Sequence, residues 1–390
     1  MSSALQKEGV GSQPLPYWRL SGFYFSYFAL LGGVAPFLAL YFESLGFSAA
    51  RIGELVAIPM LMRCLAPNLW GWIGDATGQR LLIVRLGAIF TALSFAAIFY
   101  RQDYWWLAAV MALHAFFWHA ILPQFEAITL AHLKEQASRY SQVRLWGSVG
   151  FILTVVLLGE VLERFGMVAY PRVLLAVMCV IIGCSMLIPA PPSFAINRVV
   201  GDGLLAQLRR PGVLAFFLCV ALMQLSHGPY YTFLSIHLED FGYSRSVIGL
   251  LWALGVLAEI VLFLLMRPLL ARFSLKSLLV ASFALASMRW VLLGNLADSL
   301  LTLLLAQCLH AATFAAFHVS AIHFVQHKFS ARLQGQGQAF YATLAGVGGA
   351  LGALYSGYVW DSLGAAWTFG IASLAALAGA IILALCLQRD

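Results

Sequence analysis

Charge is what this chain lacks most: 10% of its 390 residues are Asp, Glu, Lys or Arg, where a soluble domain carries roughly a quarter. That scarcity, beside 62% hydrophobic residues, excludes a soluble fold and any sizeable soluble domain. Cysteine is sparse as well. The six cysteines (Cys64, Cys179, Cys184, Cys219, Cys308, Cys386) lie in apolar runs without CxxC spacing, so neither disulfides nor a metal site is expected, and they read as small core residues. No HExxH occurs, and "WGSVG" lacks the first glycine of a GxSxG elbow, which removes the commonest signatures of a membrane hydrolase. The first sixteen residues are polar and carry no cleavage pattern, so the first apolar run is expected to serve as an uncleaved insertion signal.

What is present is apolar sequence of spanning length. At 1.5 Å per residue about 20 residues cross a hydrocarbon core of about 30 Å. Twelve runs qualify: 17–42, 50–73, 81–100, 104–131, 140–161, 168–189, 212–238, 246–267, 275–296, 299–326, 337–360 and 365–387. They are apolar on all sides and too long for the alternating ten-residue segments of a membrane barrel, so the fold class is all-α. The net charge of +7 sorts by face rather than pointing to nucleic acid. With both ends on one side, only Arg51, Arg101, Arg164, Arg172 and Arg245 fall opposite the termini. That bias predicts cytoplasmic termini, and the expected location is a bacterial-type inner membrane.

The chain repeats itself. "FLALYFESLGFSAARIGELVA" from Phe37 aligns without a gap on "FLSIHLEDFGYSRSVIGLLWA" from Phe233, matching Glu43 with Glu239, Gly46 with Gly242, Ser48 with Ser244 and Gly53 with Gly249. The same offset of 196 sets "LHA" at 113–115 on "LHA" at 309–311. The domains follow: a cytoplasmic tail 1–16, a six-helix half 17–189, a Pro, Gly and Arg-rich linker 190–211, and a second six-helix half 212–387. Parallel six-helix repeats, each of three plus three, describe the major facilitator fold, whose site lies near the midplane between the halves.

Ionisable groups within spans cost about 2.5–3.5 kcal/mol each on the lenient scale, so each calls for a cavity, a partner or the surface. Glu126 and Arg144 lie at matching depth on consecutive spans and are expected to meet, either lining the cavity or snorkelling to the interface. Arg144, Ser148 and Phe151 share a helix face. Arg63 is too deep to snorkel and has no acid nearby in sequence. It is a candidate for holding a substrate anion through a bidentate fork, or else pairs with an acid on another helix. Glu259 and Arg289 predict a pair or network. On the tenth span His310, Phe314, Phe317 and His318 share a face, and on the seventh Gln224, His227 and Tyr231 do; membrane histidines of this kind either bond helix to helix or carry protons. His114, Trp118 and His119 are core or cavity residues. The turn "GWIGDATGQR" (71–80) reads as a gating turn through Asp75, Gly78 and Arg80, or simply as a capped tight turn.

"VRLWGSVGF" (143–151), "SHGPYYTF" (226–233), "LGVLAEIVLF" (254–263) and "LHAATFAAFH" (309–318) resemble the phenylpropionate permease group of the major facilitator superfamily, relatives of the lactose permease group. The turn at 71–80 resembles that superfamily's cytoplasmic motif, although Ala76 stands where a basic residue is usual. The resemblance implies a proton-coupled transporter without cofactor or metal, working as a monomer on a small-molecule substrate. It implies substrate contacts for Glu126 and Arg144, which lie eighteen positions apart as in lactose-type permeases, and a coupling role for Arg289 and His310. Two positions depart from that pattern: Thr313 replaces the proton-carrying acid, and Phe151 the sugar-stacking tryptophan. The expected function is proton-coupled uptake of a small organic solute such as an aromatic carboxylate, with Arg63, Glu126, Arg144, Phe151, His227 and Tyr231 on the substrate and Glu259, Arg289, His310 and His318 in the proton network. Alternatives are a sugar or nucleoside symporter, an exporter of a hydrophobic compound, a non-transporting sensor, or an intramembrane enzyme.

Overall fold

A computed structural model of the chain describes residues 15–190, 203–330 and 332–387, with the backbone alone at 134, 135 and 137. Most of the tail 1–16 and of the linker 190–211 falls outside the described residues. Among the described residues twelve long helices follow in order: α1 Tyr17–Ser44, α2 Ala49–Thr77, α3 Arg80–Phe99, α4 Tyr104–Leu133, α5 Tyr140–Phe165, α6 Met167–Met186, α7 Pro211–Asp240, α8 Arg245–Arg272, α9 Leu275–Asn295 and α10 Leu300–Lys328, then one run Gln334–Cys386. Gly364, at φ 81°, divides that run into α11 and α12. Two helices are irregular where continuous ones were expected. α7 breaks at His227, ahead of Pro229, which has no N–H to continue the ladder, and α10 carries a π-helical turn over Ala311–Ala316.

The repeat is legible in the backbone. Gly46 and Gly242 turn the chain at φ 85° and 82°, a region where a side chain is strained. Ser48 and Ser244 then cap α2 and α8, each side chain accepting the N–H three residues on at 3.4 Å. Gly53 and Gly249 come next, one turn into each helix, where the halves cross. A Cβ on Gly53 would lie 2.6 Å from the Ala353 carbonyl oxygen of α11, and one on Gly249 2.5 Å from that of Val155 on α5. The residues kept through the duplication thus make the turn, the cap and the crossing.

These crossings lie at the face opposite the termini, which is also where most polar ties between the halves are found. Asp361 at the end of α11 accepts the first N–H groups of α2, from Ala49 at 3.1 Å and Ala50 at 2.9 Å. Glu163 at the end of α5 accepts the Arg245 N–H of α8 at 2.8 Å, and Ser246 donates to Glu160 at 2.7 Å. Each half presents a carboxylate to the positive end of a helix in the other. A crossing this tight predicts that Gly53→Ala or Gly249→Ala strains the closed far face by about 1–3 kcal/mol. Electron-electron distances between spin labels at positions 103 and 298 are expected to lengthen in either variant.

Arg85 of α3 caps α6. Its guanidinium donates to the carbonyls of Ser185 at 3.4 Å and Ile188 at 3.2 Å. Lys276 of α9 does the same for α12, bonding Ala384 and Leu387, both at 2.6 Å. Cations at helix C-termini oppose the helix dipole favourably and supply donors to orphan carbonyls. Cys64 and Cys219 are buried as expected, but Cys179, Cys308 and Cys386 are exposed on the apolar outside.

Candidate functional site between the halves

In the first half the site is built on an aromatic stripe of α1. Tyr24, Tyr27 and Phe28 follow at i, i+3 and i+4, and Gly147 and Gly150 let α5 approach them, since a Cβ on Gly150 would reach the Phe25 carbonyl. On the other flank Tyr24 and Tyr27 meet Phe125 and Trp118 of α4. α1 therefore lies between α4 and α5, which touch little. This corrects the expectation that Glu126 and Arg144 meet. They feel one another electrostatically, but no ion pair within 4 Å joins them. Arg144 instead stacks on Phe28, 3.7 Å from the ring centre, and Glu126 accepts the Tyr140 hydroxyl at 3.2 Å. Phe151 is buried in the α1–α5 seam, its backbone against Gly32.

Arg63 is exposed, on α2, although it lies in mid-span. No described acid pairs with it, and its charge reaches Tyr27 and His119 in its own half and Tyr231, His318 and Tyr341 in the other. The residues it faces come from α1, α4, α7, α10 and α11, so the guanidinium points into the space between the halves. Of the two readings left open by the sequence, pairing with an acid on another helix does not occur among the described residues.

The second half holds a closed network. Glu259 of α8 meets His310 Nε2 at 2.7 Å, and Arg289 Nη1 meets His310 Nδ1 at 3.0 Å. Arg289, fully buried, also donates to the Ala306 carbonyl at 2.7 Å, to Gln307 at 3.2 Å and to Thr313 at 3.4 Å. Its guanidinium lies 4.1 Å from the centre of the Tyr230 ring. Glu259 and Arg289 are thus connected through His310 rather than directly. A guanidinium only donates, so His310 Nδ1 must accept, which leaves the hydrogen on Nε2 facing the carboxylate.

The π turn changes which residues share a face. Phe314 stacks between His310 and His318, but the extra residue rotates Phe317 into the core against Phe283, away from the face predicted for it. His318 hydrogen-bonds the Tyr341 hydroxyl at 3.0 Å. On α7 Tyr231 and Gln224 are half-buried, while His227 is buried beneath them with its Nδ1 on the Met223 carbonyl at 2.8 Å. At the turn after α2, Gly78 has φ 69° and its N–H closes on Gly74. Asp75 pairs with Arg80, which also bonds Gln124 of α4. Phe28, Tyr140 and Tyr341 were missed in the sequence; the run "YFSYF" at 24–28, aromatic at helical spacing, was the available signal for the first.

Two pseudo-symmetric six-helix halves, closed at one face and facing each other through charged side chains, define a membrane transporter of the major facilitator kind. The chain belongs to the MFS_1 like family, which matches over residues 17–371. It is 28% identical over 368 residues to the probable 3-phenylpropionic acid transporter of Escherichia coli (strain K12), covering 92% of this chain and 96% of that protein. It is 25% identical over 388 residues to the maltose permease of Geobacillus stearothermophilus, covering 94% of each. The crystal structure of the nucleoside transporter NupG superposes with a TM-score of 0.85 at 17% identity, covering 97% of this chain and 100% of that one. The protein is a multi-pass membrane transporter and not an enzyme.

Proposed function

We propose that this transporter carries a small aromatic monocarboxylate together with a proton, inward across a bacterial inner membrane, with both termini in the cytoplasm. One observation carries the substrate class: Arg63, deep in α2 and exposed between the halves, pairs with no described acid. A guanidinium in that setting favours an anion that can take both of its N–H faces. Tyr27, Tyr231, Tyr341 and His318 around it suit an aromatic ring with a polar end. The name of the relative in Escherichia coli (strain K12) points the same way.

Coupling follows from the hydrogen-bond pattern. With Arg289 donating to one nitrogen of His310, a proton added to that ring would set one N–H against another. The transported proton therefore enters at the Glu259 carboxylate. Arg144 and Glu126 contact the far end of the substrate across the gap between them, and Tyr231 and His318 line it from the second half. His227 and Phe151 act from behind, holding Tyr231 and α1 in place. Asp75, Gly78 and Arg80 fasten the α2–α3 turn to α4 as the halves rock. The described state is closed at the far face, so release to the cytoplasm is the step it represents. The protein works as a monomer.

Proteoliposomes test this reading. With one proton per solute, a gradient of one pH unit, acid outside, is expected to sustain about tenfold accumulation of 3-phenylpropionate. Uptake of that acid indifferent to the gradient removes proton coupling. Uptake of maltose or a nucleoside with none of the acid removes the substrate class.

A further inference from the structure

The outer, lipid-facing surface carries a concavity between α8 and α10. α8 lies against α10 over residues 300–316 and has little contact with residues 317–328, so the two helices part toward the side of the termini. The π turn and the small side chains beside it leave a groove of about 360 Å³ between them, lined by Leu254, Ala258, Val261 and Leu265 of α8 and by Cys308 and Ala311 of α10. Val261 and Leu265 are 57% and 49% exposed, so the groove opens to the bilayer. Ala258 and Ala311 are the chain neighbours of Glu259 and His310, which places it directly behind their bridge.

The floor is a single helical face, and that face ends in a cation. Leu254, Ala258, Val261 and Leu265 recur at i, i+4, i+7 and i+11. Eighteen residues after Leu254, five full turns, the same face carries Arg272. Arg272 is exposed and makes no hydrogen bond or ion pair with any described residue. Arg267 points to the other side of the helix. From Leu254 to Leu265 the face rises about 16 Å, close to the roughly 15 Å of one leaflet's hydrocarbon. Arg272 lies about 10 Å further on, at headgroup level.

We propose that this groove seats one acyl chain of an anionic phospholipid from the leaflet on the side of the termini, whose phosphate is held by Arg272. The apolar lining takes the tail and the unpartnered guanidinium takes the charge. At the other end of the groove no comparable cation is free among the described residues: the Arg245 guanidinium is committed to Glu239 and to the Leu162 carbonyl. The occupant therefore comes from the side of Arg272.

Native mass spectrometry of the full-length protein, delipidated and offered equal amounts of phosphatidylglycerol and phosphatidylcholine, tests it. Wild type is expected to retain one phosphatidylglycerol about fivefold in preference to phosphatidylcholine. Arg272→Gln is expected to lose that preference while still holding a lipid, and Arg267→Gln, a charge change on the opposite face, to keep it. Ala258→Phe with Ala311→Phe fills the groove and is expected to lose bound lipid of both kinds. A readout without substitution is alkylation of Cys308, which phosphatidylglycerol is expected to slow severalfold. Equal loss of preference in the two arginine variants, or alkylation of Cys308 unaffected by phosphatidylglycerol, overturns the proposal.

Discussion

Arg63→Ala is expected to weaken binding of an aromatic carboxylate by at least about tenfold while leaving the protein as stable as before. A hydrogen bond to a charged group contributes about 1.5–3 kcal/mol, so loss of the guanidinium weakens affinity by roughly 10- to 100-fold. The stability half of the expectation separates a binding arginine from a structural one. Arg63 makes no hydrogen bond or ion pair with any described residue and is exposed between the halves, so its removal breaks no contact that holds the fold. Arg289 is the internal control. It is fully buried and holds Ala306, His310, Gln307 and Thr313, and Arg289→Ala orphans several buried acceptors and is expected to lower the Tm sharply. Calorimetric titration with 3-phenylpropionate and its amide, beside thermal unfolding of both variants, reads all of this. Arg63→Lys keeps the charge but loses the fork, and is expected to fall between wild type and alanine. Arg63→Ala binding the acid as wild type does, or unfolding earlier as Arg289→Ala is expected to, would sink the assignment.

The sequence and the structure agree wherever the information is local or periodic. The spans follow from apolar length, and the duplicated Gly46/Gly242, Ser48/Ser244 and Gly53/Gly249 report a turn, a cap and a crossing because each has a backbone requirement that few residues meet. Depth was legible too, since 1.5 Å per residue put Glu126 and Arg144 at one level. Their lateral placement was not. α1, a hundred residues away in the chain, enters between α4 and α5, and consecutive helices need not be neighbours in this fold. The π turn of α10 was equally hidden: one extra residue per turn leaves composition unchanged yet moves Phe317 from the face of His310 into the core. The bridge through His310 required both its nitrogens to be placed, which spacing alone cannot do.

Glu259→Gln is expected to abolish proton-driven accumulation while sparing exchange of substrate for substrate. The amide keeps the volume of the carboxylate and can still accept the His310 Nε2–H through its oxygen, so the 2.7 Å contact and the Arg289 bonds behind it survive. What is lost is a group able to gain and release a proton. A gradient of one pH unit is worth 1.36 kcal/mol per proton, and a carrier without the titrating group cannot draw on it, so accumulation falls from about tenfold to about unity. Counterflow, in which substrate moves in exchange for substrate, needs only binding and rocking and should proceed at a rate independent of pH. His310→Asn separates the carrier of the proton from its support. It removes the partner that orients Glu259 but leaves the carboxylate, so coupled uptake is expected to weaken and shift in pH dependence without vanishing. Full accumulation in Glu259→Gln liposomes would move the proton to Glu126, the other carboxylate within the spans that reaches the site. Counterflow lost together with accumulation would make Glu259 part of the substrate site instead.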